Sequence, residues 1–530
     1  MRLDIEKESK PGEHWSETVA QQVKKIFPNS PTYTTAAGIS PSGVVHFGNF
    51  RDVITSYAVY LQLKSQGLNA KFIFSWDNFD RLRKVPAGVP ENFSQYIGMP
   101  LSAIPSPKEG YSSYAEYFQK PFEEAMKELS IDLEYRYQTD EYKSGRYDEF
   151  IFLALKKRKE IAKILLSLMT EKGKQEGGIV EAEYIENYYP ISVYSHFTGK
   201  DSTKVLSFDG KSSITYHCIE SNKTETIDLS RDRIVKLAWK VDWPMRWGVE
   251  NIVFEPGGHD HASPGGSFDV SSVIAKEIFG IKEPIFAEYK FVGIQGGGVK
   301  MSGSKGNAIS PTELLEIYEP TLLKWLYMRK NPSQAFSLAF DTEIYRQYDE
   351  FDKGVSLPEE SMALKLSKNP KYNNPIPFKQ AVALGQITQW NEEKIKHLIS
   401  DLGVNYDEKS IQVRLPRAKN WLEKYNPEEV IKLLDVINVS YIVTLDEKTK
   451  EQIKKLKKEL TKEYSSIKEL ELLVYSIPKD PTKTDKENAP AQKEFFKHIY
   501  NLLIGRDAGP RLSTFLWAVD REKVLKLLNI

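Results

Sequence analysis

Hydrophobic and polar residues along the N-terminal part of the chain follow a pattern of strand, turn, helix and strand. Residues 32–40 (TYTTAAGIS) are rich in β-forming side chains, and residues 51–67 (RDVITSYAVYLQLKSQG) place apolar side chains at helical spacing and stop at Gly67. Residues 69–77 (NAKFIFSWD) have the apolar run of a buried strand. This order is typical of the βαβ unit of a parallel nucleotide-binding sheet. We therefore predict an α/β fold with a Rossmann-type parallel sheet.

The rest of the chain first extends this pattern and then departs from it. Residues 114–132 predict a second helix, and residues 133–142 predict a strand followed by a loop. Residues 157–232 interrupt the sheet pattern, because KVLSFDG and SSITYHCIE alternate apolar and polar side chains around a turn. From about residue 365 onward the pattern is almost entirely helical. We predict a small antiparallel insertion in the parallel-sheet domain and an all-α C-terminal domain.

Charge is distributed unevenly along the chain, although the formal net charge is zero. Residues 361–530 hold 30 Lys and Arg against 23 Asp and Glu, so the first 360 residues carry the matching acidic excess. A basic tail suits a segment that contacts phosphates, which favours a nucleic acid as partner. The alternative is that these charges lie on solvated helix faces. The tail residues Trp421 and Trp517 could stack on bases, but packing between helices is the favoured interpretation for both.

Two absences in the sequence bear on compartment and metal content. No apolar run reaches the ~18 residues that span a bilayer, so we expect no membrane contact. The single cysteine, Cys218, excludes an intramolecular disulfide and a cysteine-rich structural zinc site. We therefore expect a cytoplasmic protein without zinc or another structural metal.

The turn between the first strand and the first long helix, PSGVVHFGN, is the first candidate site. Gly43 and Gly48 allow close backbone approach, and the helix N-terminus behind them favours an anion. His46 can donate a hydrogen bond to a phosphate oxygen there. The pattern predicts a phosphate-binding turn; the alternative is a glycine-rich turn with a purely structural role.

The segment KMSGSKGN (300–307) is the second candidate site. Its lysines, serines and glycines form a basic loop with hydroxyl donors, which can close over a triphosphate and stabilise the charge that develops on the leaving pyrophosphate. A solvated surface loop is the alternative. The two segments together are more informative than either one, because the first opens a βαβ unit and the second follows after the sheet pattern ends.

In this order the two segments resemble the HIGH and KMSKS signatures of class I aminoacyl-tRNA synthetases. HIGH corresponds to His46–Asn49 and KMSKS to Lys300–Ser304. Asn49 replaces the last histidine, a form that class I lysyl enzymes also show; Gly303 replaces the second lysine, and whether Lys305 supplies the missing charge stays open. The resemblance implies catalytic roles for His46, Asn49, Lys300, Ser302 and Ser304. It also implies binding of ATP, with Mg²⁺, by Pro41, Ser42, Gly43, Gly48, Lys300, Met301 and Lys305.

The chain resembles the class I lysyl-tRNA synthetases in particular. The similar stretches follow the family's order over nearly the whole chain: GISPSGVVHFGN (38–49), SWDNFDRLRKVP (75–86), WKVDWPMRW (239–247), HDHASPGGSFD (259–269), KMSGSKGN (300–307) and AGPRLSTFL (508–516). The resemblance implies a lysine pocket formed by Gly38, Ser40, His259, His261 and one of Trp239, Trp243 and Trp247, of which Trp243 is favoured. The family usually has threonine where Ser40 stands.

The charges of a lysine substrate agree with this resemblance. Its two ammonium groups need acceptors, because a buried charge must be paired. Asp77, Asp80 and Asp260 lie at or just past predicted strand ends, where ligands bind in such sheets. We predict that Asp77 and Asp260 bind lysine; the alternative for each is a helix cap or a turn residue.

The resemblance also implies a domain order and a reaction. Residues 1–156 and 233–290 would form a split Rossmann-type catalytic domain, 157–232 an inserted module near the tRNA acceptor end, 291–364 a connecting module with the KMSKS loop, and 365–530 a helical anticodon-binding domain. The implied reaction activates L-lysine with ATP as lysyl-adenylate and transfers lysine to tRNA(Lys). The alternatives are a class I synthetase for another amino acid, such as glutamate, and a non-catalytic tRNA-binding homologue. The intact His46, Lys300, Ser302 and Ser304 argue against the second alternative.

Overall fold

The computed structural model of the protein describes residues 1–295, 309–368 and 372–530. The chain forms two compact units. The first comprises Met1–Leu338 and Leu357–Asn369, and the second comprises Ala339–Ser356 and Pro370–Ile530. Each unit is therefore built from two separate segments of the chain.

The described residues form twelve strands, numbered β1–β12 in chain order: Tyr33–Ile39, Ala70–Trp76, Glu134–Tyr137, Ile191–Val193, Thr203–Phe208, Ser213–Cys218, Lys223–Asp228, Val235–Leu237, Ile252–Gly258, Ile285–Tyr289, Val292–Gln295 and Phe336–Ala339. Five of them build a sheet in the order β10-β9-β1-β2-β3. All neighbouring pairs in this sheet are parallel. The predicted Rossmann-type parallel sheet is therefore confirmed.

The helix Phe47–Ser65 connects β1 to β2 and completes the predicted βαβ unit. It begins where His46 and Asn49 cap its first turn. It ends before Gly67, whose φ of 75° lies in the left-handed region that glycine adopts without steric cost. Val53 and Tyr57 are among the side chains that the helix buries, and it packs against β1, β2 and β9.

The direction in which successive strands are added to the sheet reverses between β1 and β9. β2 and β3 extend the sheet on one side of β1, and β9 and β10 extend it on the other. β1 and β9 pair only at Thr34 with Ile252 and at Thr35 with Phe254, although both strands continue beyond these residues. Such a switch point opens a crevice at the carboxyl ends of the strands, which is where ligands bind in open α/β sheets.

Helices join the strands of the first unit. Those of seven residues or more are Trp15–Ile26, Phe47–Ser65, Tyr114–Glu128, Gln138–Ser144, Asp148–Lys156, Arg158–Ser167, Glu181–Asn187, Trp239–Val249, Ser267–Ile274 and Pro320–Met328. The helix predicted at 114–132 is confirmed. The loop predicted after β3 is wrong, because Gln138–Ser144 forms a short helix whose Gln138, Thr139 and Tyr142 are buried.

The insertion contains a three-stranded antiparallel sheet in the order β5-β6-β7. β5 and β6 are the two segments that the alternating pattern predicts, and they pair around a turn at Gly210. Ile214, Tyr216 and Cys218 alternate along β6 and are buried on one face. The predicted antiparallel insertion is therefore confirmed.

The second unit is helical. Its helices of seven residues or more are Glu343–Val355, Phe378–Ile387, Glu392–Asp401, Glu408–Asn420, Glu447–Glu459, Ile467–Ser476, Asp485–Ile504, Leu512–Ala518 and Arg521–Leu527. Trp421 is fully buried and donates its indole N–H to the Phe340 carbonyl at 2.9 Å, which confirms its packing role. Trp517 is half-buried and donates to Asp401 at 2.9 Å. Across the part of the chain that the structure describes, no helix is long and apolar enough to cross a membrane.

Candidate active site

The start of the helix Phe47–Ser65 presents a neutral histidine. His46 Nδ1 accepts a hydrogen bond from the N–H of Gly48 at 3.1 Å, and Asn49 Oδ1 accepts one from the N–H of His46 at 3.2 Å. Burial lowers the pKa of His46, so the ring is neutral in neutral solution. Because Nδ1 accepts, the ring proton is on Nε2. His46 therefore offers an N–H donor beside a helix N-terminus, where an anion is stabilised.

A first cavity, which we call the outer cavity, opens beside this helix start. Its lining includes Ser40, Ser42, Gly43 and His46 from the turn after β1, Asn49 from the first turn of the helix Phe47–Ser65, and Asp80, Arg81, Arg83 and Lys84 from the loop after β2. Pro41 is buried in the same turn. Arg83 and Lys84 attract anions, Arg81 pairs with Asp201 at 3.0 Å, and the turn supplies hydroxyl and N–H donors. Of the residues predicted to bind ATP, Ser42 and Gly43 line this cavity and Pro41 and Gly48 do not, so their roles stay predictions; the basic loop beside them is not predicted from the sequence.

A second cavity, which we call the inner pocket, lies at the crevice between β1 and β9. Ala36, Gly38 and Ser75 from the sheet and residues of the helix Trp239–Val249 line it. A Cβ on residue 38 would lie 2.9 Å from the Ser75 carbonyl oxygen across the parallel register, so only glycine fits there. Gly38 lines the inner pocket and Ser40 lines the outer cavity. The two cavities are therefore neighbours along β1.

Two tryptophans form an aromatic wall of the inner pocket. Trp239 and Trp243 stack with ring centroids 5.1 Å apart and an interplanar angle of 17°, and both line the pocket. Trp247 is buried in the core and donates its indole N–H to Glu255 at 2.9 Å. Of the three candidate tryptophans, Trp239 and Trp243 line the inner pocket and Trp247 does not, and the lysine-binding role of Trp243 stays a prediction.

A buried ionic network borders the inner pocket. Arg246 pairs with Asp77 at 2.7 Å and with Asp242, while Lys236 pairs with Asp80 at 2.8 Å and with Asp242 at 3.5 Å. Burial raises the pKa of Asp77 in spite of Arg246. Burial acts in the same sense on Asp80, but Lys236 outweighs it and lowers the pKa of Asp80. Both carboxylates that the sequence offers as acceptors near β2 thus already have a cation of the protein.

The three residues that follow β9 are placed differently. His261 lines the inner pocket, and burial lowers its pKa. His259 is exposed and contacts Glu288 through Nδ1 at 3.1 Å. Asp260 is also exposed. Neither His259 nor Asp260 belongs to the lining of the inner pocket, so their binding roles stay predictions.

Several residues that line the inner pocket are not predicted from the sequence, among them Asp52, Arg246, Glu255 and Tyr289. Glu255 had a usable signal, because it is a charged residue inside the otherwise apolar strand segment IVFEP. Asp52 had a weaker one, since it lies in the first turns of a helix whose neighbouring residues are mostly buried. No local pattern predicts that Arg246 and Tyr289 line the pocket, because their positions depend on the packing of elements that are far apart in the chain.

The structure does not test two of the predictions. The KMSKS residues lie outside the described residues, namely Lys300, Met301, Ser302, Ser304 and Lys305. Among the residues that are described, no group of three or more His, Cys, Asp or Glu side chains could hold a metal ion. The roles of the signature loop and the metal content stay predictions.

These features define a class of protein. A switch-point pocket beside a capped helix start, a neutral histidine and basic side chains is the arrangement of an α/β enzyme that binds a phosphate-bearing ligand next to a small polar one. A sequence-family model described as tRNA synthetases class I (K) matches residues 13–376. The chain belongs to this family, as its two signature segments predict.

The chain is also similar over nearly its whole length to known proteins. It is 35% identical to a protein named lysine–tRNA ligase from Streptomyces coelicolor, with 97% of each chain covered. It is 36% identical to the protein of the same name from Pyrococcus furiosus, over 98% of this chain and 99% of the relative. The identity to the lysine–tRNA ligase of Treponema pallidum is 31%, with 98% of each chain covered.

Proposed function

We propose that the protein attaches L-lysine to tRNA(Lys) in an ATP-dependent reaction, as a class I lysine–tRNA ligase. The observation that carries this proposal is the pair of adjacent cavities, to which β1 contributes Gly38 and Ile39. The outer cavity has a basic loop that suits phosphates, and the inner pocket has carboxylates that suit ammonium groups. The full-length similarity to proteins named lysine–tRNA ligase supports the same assignment.

In the first step, the carboxylate of lysine attacks the α-phosphate of ATP, which enters as its Mg²⁺ complex. Lysyl-adenylate forms and pyrophosphate leaves. His46 donates from Nε2 to a phosphate oxygen, and Asn49 fixes the backbone of His46. Lys300, Ser302 and Ser304 stabilise the leaving pyrophosphate, with Lys305 as the candidate for the charge that Gly303 lacks. The enzyme forms no covalent intermediate, so catalysis is positioning and electrostatic stabilisation.

In the second step, a hydroxyl of the terminal ribose of the tRNA attacks the carbonyl carbon of lysyl-adenylate, and AMP leaves. Residues 157–232 are proposed to lie near the acceptor end, 291–364 to connect, and 365–530 to bind the anticodon stem and loop. The basic excess of residues 361–530 supports this last role. Phosphate contacts would make the binding fall steeply with salt, and bases of the loop would be read by stacking and edge contacts.

The proposal predicts lysine-dependent exchange of pyrophosphate into ATP. We expect exchange with lysine and Mg²⁺, none with glutamate, and no loss on treatment with a zinc-selective chelator. The physical reason is that the side chain of glutamate needs a cation, whereas the inner pocket offers carboxylates and its Arg246 is already paired with Asp77 and Asp242. The measurement is isotope exchange with each amino acid in turn. Exchange with glutamate and not with lysine would contradict the substrate, and a zinc-restorable loss would contradict the metal prediction.

The fit of Gly48 against His46 gives a second prediction. A Cβ on residue 48 would lie 2.8 Å from Cε1 of His46, so Gly48→Ala must displace the ring. We expect the exchange rate to fall about 100-fold, because small misplacements of a catalytic group have effects of this order. Gly43→Ala is the matched comparison with a smaller expected loss, since its Cβ would only touch Pro86 at 3.6 Å. Equal rates for the two variants would contradict the role of the His46 position.

A further inference from the structure

The loop after β2 is fastened to the insertion and to β8, the strand that follows the insertion. Three consecutive residues of the loop each have one partner there: the Phe79 carbonyl accepts a hydrogen bond from the Tyr194 hydroxyl at 2.5 Å, Asp80 pairs with Lys236 at 2.8 Å, and Arg81 pairs with Asp201 at 3.0 Å. We call Tyr194, Asp201 and Lys236 the anchor residues. All three are far from the loop in the chain, so the position of the loop depends on how the insertion packs.

The anchor residues are themselves held in place. Tyr194 follows β4, and its N–H donates to the Ile234 carbonyl at 2.8 Å. Lys236 lies in β8, which pairs with β4, and its side chain is 8% exposed. The side chain of Asp201 is 10% exposed, and its N–H donates to the Gly98 carbonyl at 2.9 Å. Side chains that are fixed by packing and backbone hydrogen bonds can fix a neighbouring loop in turn.

The next two cations of the loop have different surroundings. Leu82 is fully buried, and its N–H donates to the Met99 carbonyl at 2.8 Å. Arg83 and Lys84, which follow it, are exposed and line the outer cavity together with His46. Within the described ranges, neither of these two cations forms an ion pair. The loop therefore combines residues that the protein has neutralised with two cations that a ligand can neutralise.

The surroundings of Arg83 and Lys84 suit a phosphate group. The outer cavity also has the Nε2–H donor of His46 and the start of a helix, which favours an anion. Cations and N–H donors around one cavity are the groups that bind phosphate oxygens. Asp201 and Lys236 line neither the outer cavity nor the inner pocket, so any effect of these two residues on a ligand must pass through the loop.

We propose that the anchor residues position the loop after β2 so that Arg83 and Lys84 bind a nucleotide phosphate in the outer cavity. The inference rests on the proposed function, in which ATP and the acceptor end of tRNA are the two substrates that bring phosphates. A cation that is held in place before the ligand arrives loses less conformational entropy on binding. The insertion thus contributes to phosphate binding although none of its residues lines the cavity.

The test compares Asp201→Asn with a matched variant of the same insertion, Asp232→Asn. Asp232 is 13% exposed and pairs with Arg231 at 2.9 Å, but Arg231 lines neither cavity. Steady-state pyrophosphate exchange and lysine transfer are measured on the full-length chain with lysine, ATP and tRNA(Lys) present. We expect Asp201→Asn to raise the KM for ATP or the KM for tRNA about 2- to 10-fold, the effect of losing the prior ordering of one side chain. The KM for lysine and kcat should change little, and Asp232→Asn should behave as wild type.

The route through the two cations is tested in a variant that lacks them. The double variant Arg83→Ala/Lys84→Ala should raise the same KM roughly 10- to 100-fold, the range for hydrogen bonds to charged groups. Adding Asp201→Asn to it should have little further effect, because substitutions that act through one another are not additive. Tyr194→Phe releases Phe79 from the insertion without changing a charge and should repeat the effect of Asp201→Asn. It decides the test if Asp201→Asn fails to fold.

Trypsin digestion tests the position of the loop without any substrate. Arg83 and Lys84 are exposed cleavage sites, and cleavage in a loop depends on how often the loop opens. We expect Asp201→Asn and Tyr194→Phe to speed cleavage at these two sites severalfold, and Asp232→Asn to leave the rate unchanged. Mass spectrometry of the fragments identifies the sites.

The results separate the positioning role from the proposed function. A higher KM for ATP alone identifies ATP as the source of the phosphate, and a higher KM for tRNA alone identifies the acceptor end. Unchanged KM values for both in Asp201→Asn and Tyr194→Phe would overturn the proposal, even if trypsin cleaves faster. A full additional loss on adding Asp201→Asn to the variant without Arg83 and Lys84 would also overturn it. If the wild-type protein neither exchanges nor transfers lysine, the proposed function fails, whereas the trypsin comparison still decides whether the insertion holds the loop.

Discussion

Replacing His46 by alanine is expected to lower the rate of lysine-dependent pyrophosphate exchange roughly 100- to 1,000-fold at saturating substrates. The loss of one preorganised donor to developing charge costs about 2.7–4 kcal/mol of transition-state stabilisation. Lysine affinity should change little, because His46 lines the outer cavity and not the inner pocket. A donor that acts only in the transition state lowers kcat rather than ground-state binding. Exchange rates and calorimetric lysine binding on the same preparation check both statements.

The control for this prediction is His397→Ala, the same substitution at an exposed histidine of the second unit, which should leave exchange unchanged. Lys300→Ala is expected to resemble His46→Ala, since both groups are proposed to act on the phosphates. A large defect in Lys305→Ala would show that this lysine replaces the charge missing at Gly303. Near-normal exchange by His46→Ala at saturating substrates would exclude His46 from catalysis.

Replacing Asp242 by alanine is expected to destabilise the first unit by about 3–5 kcal/mol, as is usual when one partner of a buried ion pair is removed. Asp242 is fully buried and accepts hydrogen bonds from Arg246 and from the hydroxyl of Tyr142. Lys236 is also within 3.5 Å. Without the carboxylate, two buried cations lose a shared counter-ion, and only Asp77 and Asp80 remain to balance them. Urea-induced unfolding should show a transition at lower denaturant concentration.

A matched control for Asp242→Ala is Asp435→Ala. Asp435 also pairs with a lysine, Lys523 at 2.8 Å, but its side chain is 93% exposed. Water and salt screen such a pair, so its removal should hardly change the unfolding curve. If Asp242→Ala unfolded at the same denaturant concentration as wild type, the network would not contribute to stability, and Asp242 would have to be assigned another role.

The parts of the fold that the sequence predicts are those decided by local patterns. β1, the helix Phe47–Ser65 and β2 follow from periodicity and a terminal glycine, all within about forty residues, although the helix begins four residues before the predicted range 51–67. The antiparallel insertion follows from alternation alone. The helix Gln138–Ser144 escapes prediction because it is short and depends on burying Gln138, Thr139 and Tyr142, which is a tertiary effect.

Residues of the candidate site can be predicted from the sequence where they follow a predicted strand, because ligands bind at the carboxyl ends of the strands in such sheets. The rule points to Asp77, which follows β2 and lines the inner pocket, whereas His261 is implied only by the family resemblance. The rule does not show that Arg246 neutralises Asp77, because that pair depends on how a distant helix packs against the sheet. For the same reason the rule favours Asp260, which is exposed, over Glu255, which lies within a strand and lines the pocket.

The helix Glu343–Val355 belongs to the second unit. It is separated from the rest of that unit by Leu357–Asn369, which belongs to the first unit. Asp352 of this helix pairs with Arg414 at 2.6 Å, 62 residues further along the chain. At about 5–20 residues per second, the ribosome needs roughly 3–12 s to supply that partner. The finished fold buries Ile344, Tyr348 and Phe351 of this helix. During this interval the residues that follow them in the chain and pack against them are not yet synthesised. Translation arrested, or proteolysis, just after residue 364 would therefore yield an aggregation-prone fragment rather than a shortened enzyme.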